Sequence, residues 1–202
     1  SSIAHDIAAV AWDPKEAPVD GGKNGRVNTA ALLVSVSYFE SGWAHDVDVG
    51  PSCYRGRDGK SSRCDGGRSV SIFQLMVGAG TTSEGWTRDE LFADRQKAVR
   101  AALHRINRSV KACSKFGPEA RLRQYASGSC EHGIPESTAR VLFAKKILRE
   151  HPAPRFEFVP NPGAPAGTPA PAPPFAPSTP PAPPVITIVE SAAYARADKP
   201  TP

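Results

Sequence analysis

Glu40 is the first residue of this 202-residue chain that invites chemistry, because it is the one acid on an otherwise apolar stretch, residues 28–41. Apolar surroundings disfavour the charged form of a carboxyl group, so it still holds a proton near neutral pH. A carboxyl group that keeps its proton can serve as a general acid. Val36, Phe39 and the nearby Trp43 are placed to supply those surroundings. Acid–base chemistry often sets two carboxylates in different environments. Asp46, Asp48, Asp58 and Asp65 are candidates for the second, none of them at a position fixed by a motif. The cysteines, Cys53, Cys64, Cys113 and Cys130, form no C-x-x-C pair and no histidine stands beside them at metal-ligand spacing, so no metal site is expected. A Gly-rich phosphate loop is also missing, and no cofactor is expected.

Four cysteines permit two disulfides in any of three connectivities. Loop length favours Cys53–Cys64, which closes a Gly-rich loop, and Cys113–Cys130, which ties a helix to the segment after it. Paired cysteines point to an oxidising compartment.

The elements that must position these residues read as mainly α. Residues 3–12 form a short apolar helix ending before Pro14, and a polar loop then leads to Asn28 as an N-cap. Ala31, Leu32, Val34, Val36, Tyr38 and Phe39 make the next helix apolar nearly all round, as for a helix buried through a domain centre, and Gly42 stops it. Residues 43–68 read as an irregular basic loop. From about Asp94 the residues Ala98, Ala102, Ile106, Val110 and Cys113, with Val99 and Leu103, follow a helical period until Gly117-Pro118. A last helix starts at Pro135, with Ala139, Leu142, Phe143 and Ile147 as its apolar face. Sustained strand alternation is absent.

Composition divides the chain into a globular part, residues 1–151, and a tail, residues 152–202. The tail holds 16 of the 21 prolines and no net charge, so the excess of +5 belongs to the front. Its Pro-Ala-Pro-Pro repeats favour an extended polyproline II spacer. Residues 185–189 are β-prone within it and could pair with a sheet edge of a partner protein. The opening residues show no charged-then-apolar leader, so a signal peptide is expected to be absent or removed. No run approaches the ~20 apolar residues of a membrane span. Arg55, Arg57, Lys60, Arg63 and Arg68 make the central loop basic, but without a nucleic-acid motif or interleaved aromatics it does not read as a nucleic-acid site. A polyanion such as a cell wall suits the charge better.

Three short motifs then occur in order. Glu40-Ser41-Gly42 ends the buried helix, Ser71-Ile72-Phe73-Gln74-Leu75-Met76 follows, and Tyr125-Ala126-Ser127-Gly128 precedes the last helix. From about Asn28 to Glu150 this arrangement resembles the lytic transglycosylases with an SLT-type domain, in the lysozyme-like superfamily. The resemblance implies an α+β lysozyme-like catalytic domain with a central buried helix. It makes Glu40 the catalytic acid and base, with Ser41, Ser71, Gln74 and Tyr125 lining the substrate site. Ser71 stands where the family has glycine, and Ala126 where it has asparagine. The implied reaction cleaves the MurNAc–GlcNAc β-1,4 bond of peptidoglycan, the muramic acid 6-hydroxyl attacking its own anomeric carbon to leave a 1,6-anhydro end. A hydrolysing muramidase of the same fold is the alternative. A non-catalytic wall-binding module of a phage tail or secretion assembly is another. All three imply a periplasmic, secreted or virion-associated protein.

Overall fold

A computed structural model describes residues 2–50, 53, 64–65, 67–77 and 80–152, all within the first of the chain's two units, Ser1–Phe156. The proline-rich spacer, the β-prone segment 185–189, Asp58 and most of the basic loop lie outside the described residues.

The described part is mainly helical. Helix α1 (Ile3–Ala11) starts at Ser2, whose hydroxyl accepts from the His5 amide at 3.2 Å. Helix α2 (Gly25–Ser41) begins four residues earlier than the sequence suggests, with Asn24 rather than Asn28 at the cap position. The start is set by tertiary packing: a Cβ at Gly25 would lie 2.2 Å from the Asp20 carbonyl oxygen, which only glycine tolerates. Asn28 sits inside the helix, and its amide donates to Asp20 at 3.0 Å. Gly42 takes a left-handed φ of 60° and ends α2 as expected.

A single turn, α3 (His45–Asp48), interrupts what reads as loop. Asp48 and the buried Asp6 of α1 both accept from Arg95, which ties these elements to the long helix behind them. Two-residue strands β1 (Ser69–Val70) and β2 (Leu75–Met76) pair antiparallel, Ser69 opposite Met76 and Val70 opposite Leu75. Helix α4 (Arg88–Ala93) is nucleated by a capping box in which Thr87 and Glu90 satisfy each other's backbone amides. Helix α5 (Arg95–Ala112) follows, capped by Asp94, and buries the expected stripe of Ala98, Val99, Ala102, Leu103 and Ile106. Two short 3₁₀ turns (Ser114–Phe116, Pro118–Ala120), helix α6 (Arg123–Ser127) and helix α7 (Ile134–Glu150) complete the unit.

The core forms where α1, α2, α5 and α7 meet the β1–β2 turn, and Leu33, Val36, Phe73, Leu103 and Ile106 are almost completely buried in it. Each such side chain contributes ~1.5–3 kcal/mol of burial. The buried side of α7 differs from the sequence expectation: Ser137, Arg140, Val141 and Ala144 face inward, whereas Leu142 is exposed. The reason is polar. Helix α2 packs along α7, and the Ser35 hydroxyl donates to the Arg140 carbonyl at 2.6 Å across that contact.

Disulfides join Cys53 to Cys64 and Cys113 to Cys130, the pairing that loop length favours, and both accord with an oxidising compartment. Closing the 17-residue separation of the second stabilises the fold by roughly 3 kcal/mol. Among the described residues no helix is long and apolar enough to cross a membrane.

Candidate functional site

Glu40 emerges from the last turn of α2, its side chain 17% exposed. Its Oε1 accepts from the Arg140 Nη2 at 2.8 Å, and among the described residues this is the one hydrogen bond it makes. Burial raises the carboxyl above the usual glutamate range, and that effect prevails. The charge and hydrogen bond of Arg140 pull it down, as does the charge of Arg105, while the negative charge of Asp65 pushes it up. The net shift is upward although a guanidinium lies against the acid.

Arg140 is held as firmly as the acid. Its Nη1 donates to the Glu136 carbonyl at 2.8 Å, and its guanidinium lies 5.4 Å from the centre of the Phe39 ring. Phe39, Tyr38, Trp43 and Phe143 form an aromatic cluster around the end of α2, and both Phe39 and Trp43 keep an exposed face. Val36 is wholly buried beneath.

Tyr125 approaches from α6. Its hydroxyl donates to the Phe73 carbonyl at 2.7 Å, and burial, then the charge of Glu40, raise its pKa well above 10, so it remains a donor. Two buried serines hold the short helix in place. Ser109 of α5 donates to the Arg121 carbonyl and accepts from the Tyr125 amide; Ser137 of α7 donates to the Glu119 carbonyl and accepts from the Leu122 amide. A five-residue helix, too short to persist alone, is thereby fixed from both sides.

The residues singled out in the sequence divide into two groups. Glu40 and Tyr125 share one electrostatic neighbourhood, and Tyr125 grips the turn between β1 and β2. Ser71, Gln74 and Ser41 instead use their polar groups locally. Ser71 is buried with φ 63° and Gln74 has φ 48°, so serine here takes the left-handed backbone that glycine would supply. The Ser71 hydroxyl accepts from the Phe73 amide at 3.2 Å. The Gln74 amide donates to the Ser71 carbonyl at 3.1 Å and reaches the Cys64 sulfur at 3.5 Å, which anchors the turn to the disulfide rather than to Glu40. The Ser41 hydroxyl donates to the Ser37 carbonyl and accepts from the Trp43 amide.

Of the possible second carboxylates, Asp48 is buried in its pairing with Arg95. Asp65 lies in the field of Glu40, with one oxygen accepting from the Ser69 hydroxyl at 2.7 Å. Among the described residues no three His, Cys, Asp or Glu side chains converge as a metal site would need.

Sequence reasoning missed Arg140 and Arg105. For Arg140 a signal existed: it lies on one face of α7 with Ser137, Val141 and Ala144, and a cation at that register needs a partner. Beyond Tyr125 runs a cleft of about 670 Å³, lined also by Met76, Thr81, Thr82, Ser83, Arg105, Arg108 and Gln124. Glu40 itself does not line it, whereas Tyr125 and Arg105, both coupled to Glu40 electrostatically, do.

No protein-family model matches this chain, and no curated protein or solved structure matches it either.

Proposed function

We propose that this chain is a peptidoglycan lytic transglycosylase of lysozyme-like α+β architecture, acting in the periplasm, outside the cell or on a virion. The observation that carries the reading is the buried acid. Glu40 ends a central helix, its pKa is raised by burial, and it shares its field with Tyr125, which lines an open cleft. In the proposed reaction Glu40 gives its proton to the glycosidic oxygen as the bond to the anomeric carbon breaks. The resulting carboxylate, steadied by Arg140, takes the proton of the muramic acid 6-hydroxyl as that oxygen closes on the same carbon. One proton leaves and one returns, so no water is consumed and no second carboxylate is needed.

Asp65 favours a second reading, because it puts another carboxylate in the field of Glu40. In a muramidase it would assist a water molecule instead. Mass spectrometry of digested wall fragments separates the two: 1,6-anhydro ends support the transglycosylase, and products heavier by one water support the hydrolase. A blank zymogram on purified cell walls would instead favour a non-catalytic wall-binding module.

A further inference from the structure

The cleft beyond Tyr125 has a chemical character of its own. Two arginines one helical turn apart on α5, Arg105 and Arg108, face it, and no carboxylate lines it among the described residues. Such a wall is electropositive, because residues three apart share a helix face and no carboxylate among the described residues pairs directly with either. Arg108 donates to the Ser83 hydroxyl at 2.9 Å, and that hydroxyl donates in turn to Glu84 at 3.0 Å, which fixes the guanidinium without a direct carboxylate contact. Arg105 makes no hydrogen bond or ion pair among the described residues, and it sits 5.7 Å from the centre of the Tyr125 ring. Glu84, the nearest acid in sequence, reaches Arg108 only through Ser83 and binds His104 directly at 2.9 Å. The cleft volume of about 670 Å³ falls within the range of small-ligand sites.

We infer that Arg105 and Arg108 form a carboxylate-recognition subsite that binds an acidic group of the glycan substrate and sets it in register with Glu40. A guanidinium presents parallel N–H donors matched to the two oxygens of a carboxylate, and such bonds are stronger than neutral ones. Arg105 is the link in this arrangement, since it packs on Tyr125 at the cleft and its charge also reaches Glu40. The selected substrates are glycan strands that carry free carboxylates, on the sugar or on its peptide, over neutral β-1,4 glucosaminyl chains. This assignment rests on the peptidoglycan-cleaving reading.

Binding can be measured apart from turnover in the full chain carrying Glu40→Gln, by calorimetry with a GlcNAc–MurNAc oligosaccharide bearing its free carboxylates and with the same oligosaccharide amidated. One charge-assisted bond is worth about tenfold in affinity. The acidic ligand should therefore bind at least tenfold more tightly, with a preference that shrinks as salt rises. Adding Arg108→Gln, an exposed position whose fold circular dichroism checks, should weaken the acidic ligand about tenfold and remove most of the difference between the two. Equal affinity for both ligands, or an equal loss for both on Arg108→Gln, overturns the subsite. Charge-selective binding in this variant, together with a native Glu40 chain that leaves cell walls intact, overturns the catalytic reading alone, and failure to bind either ligand overturns both.

Discussion

Two half-buried glutamates, Glu40 and Glu84, have opposite fates, and the contrast shows what makes an acid reactive. At Glu84, burial is the largest single influence and raises the pKa. Hydrogen bonds from His104, Thr82, its own backbone and Ser83 together outweigh it, so the carboxyl lies below the usual range. At Glu40, burial is again largest, but the opposing donors reduce to Arg140, with the charge of Arg105 behind it, and the carboxyl stays above. A carboxylate surrounded by donors becomes a structural anion. One that keeps a single donor and an apolar shell can hand its proton over and take it back.

The widest separation between the two should appear in activity. Glu40→Gln removes the transferable proton and should lower cell-wall cleavage by about 10²–10⁴-fold, the span that general acid–base catalysis supplies. Glu84→Gln should reduce thermal stability and leave turnover in place. A zymogram paired with a melting curve reads both, and full cleavage by Glu40→Gln would erase the distinction. The pH dependence of folding carries the same signature. Because the folded state raises the Glu40 pKa, it holds that proton more tightly than the unfolded chain. Stability therefore falls as pH rises from the ordinary glutamate value of 4.5 through the raised one. Glu40→Gln should remove that decline.

Ser109 tests whether the Tyr125 side of the site is as rigid as its hydrogen bonds imply. Ser109→Ala deprives the Arg121 carbonyl and the Tyr125 amide of their partner at once. Leaving buried groups unsatisfied costs ~1–3 kcal/mol, measurable by denaturant unfolding. Turnover should drop as well, because α6 loses one of its two anchors. A change in neither quantity would mean that Ser137 alone fixes the helix.

Much of this arrangement was readable in the chain, and the unreadable parts share a cause. The α5 stripe was legible because every third or fourth residue is apolar and goes into the core. Glu40 was legible because it is the only acid on its helix. Helix α4 left a local mark, Thr87 and Glu90 in capping-box spacing, that propensity alone does not weigh. By contrast, the inward side of α7 was misassigned because its buried positions include Ser137 and Arg140, whose burial makes sense only beside Ser35, Glu40 and the Glu119 carbonyl. Arg140 comes to Glu40 from 100 residues away, and the start of α2 depends on an Asp20 carbonyl that no pattern in the helix reveals. Local periodicity writes itself into sequence; a polar group buried by a distant partner does not.

Arg140 sharpens the contrast from the side of the acid. Removing its charge with Arg140→Gln leaves burial less opposed, so the Glu40 pKa should rise further. The limb of the pH–rate profile that reports the protonated acid should then move to higher pH, and the profile of cleavage against pH is the measurement. A shift downward would mean that Arg140 screens Glu40 from solvent more than it stabilises the anion.

The smallest effect belongs to the opposite cluster. His104 places Nε2 2.7 Å from Glu16 and Nδ1 2.9 Å from Glu84, so both ring nitrogens face carboxylates and both must donate, which requires the imidazolium. Burial opposes that charge, but the hydrogen bonds to Glu16 and Glu84 prevail and the pKa is raised above 6.5. Arg100 also approaches Glu16, at 3.3 Å, and shares the load. The sign follows from the raised value: the stabilisation is fully present below the unfolded histidine value of 6.5 and is lost as pH rises through the folded one. With the ring 37% exposed, solvent screening limits the contribution to ~1 kcal/mol or less. The gap in melting temperature between the native chain and His104→Gln should thus be widest in mildly acidic buffer and close towards alkaline pH. The Glu40 term moves the same way in absolute stability, but it is common to both chains and cancels in the difference. A gap that stays constant across this range would show that His104 acts as a neutral spacer, and the cluster would then hold Glu84 down without a cation.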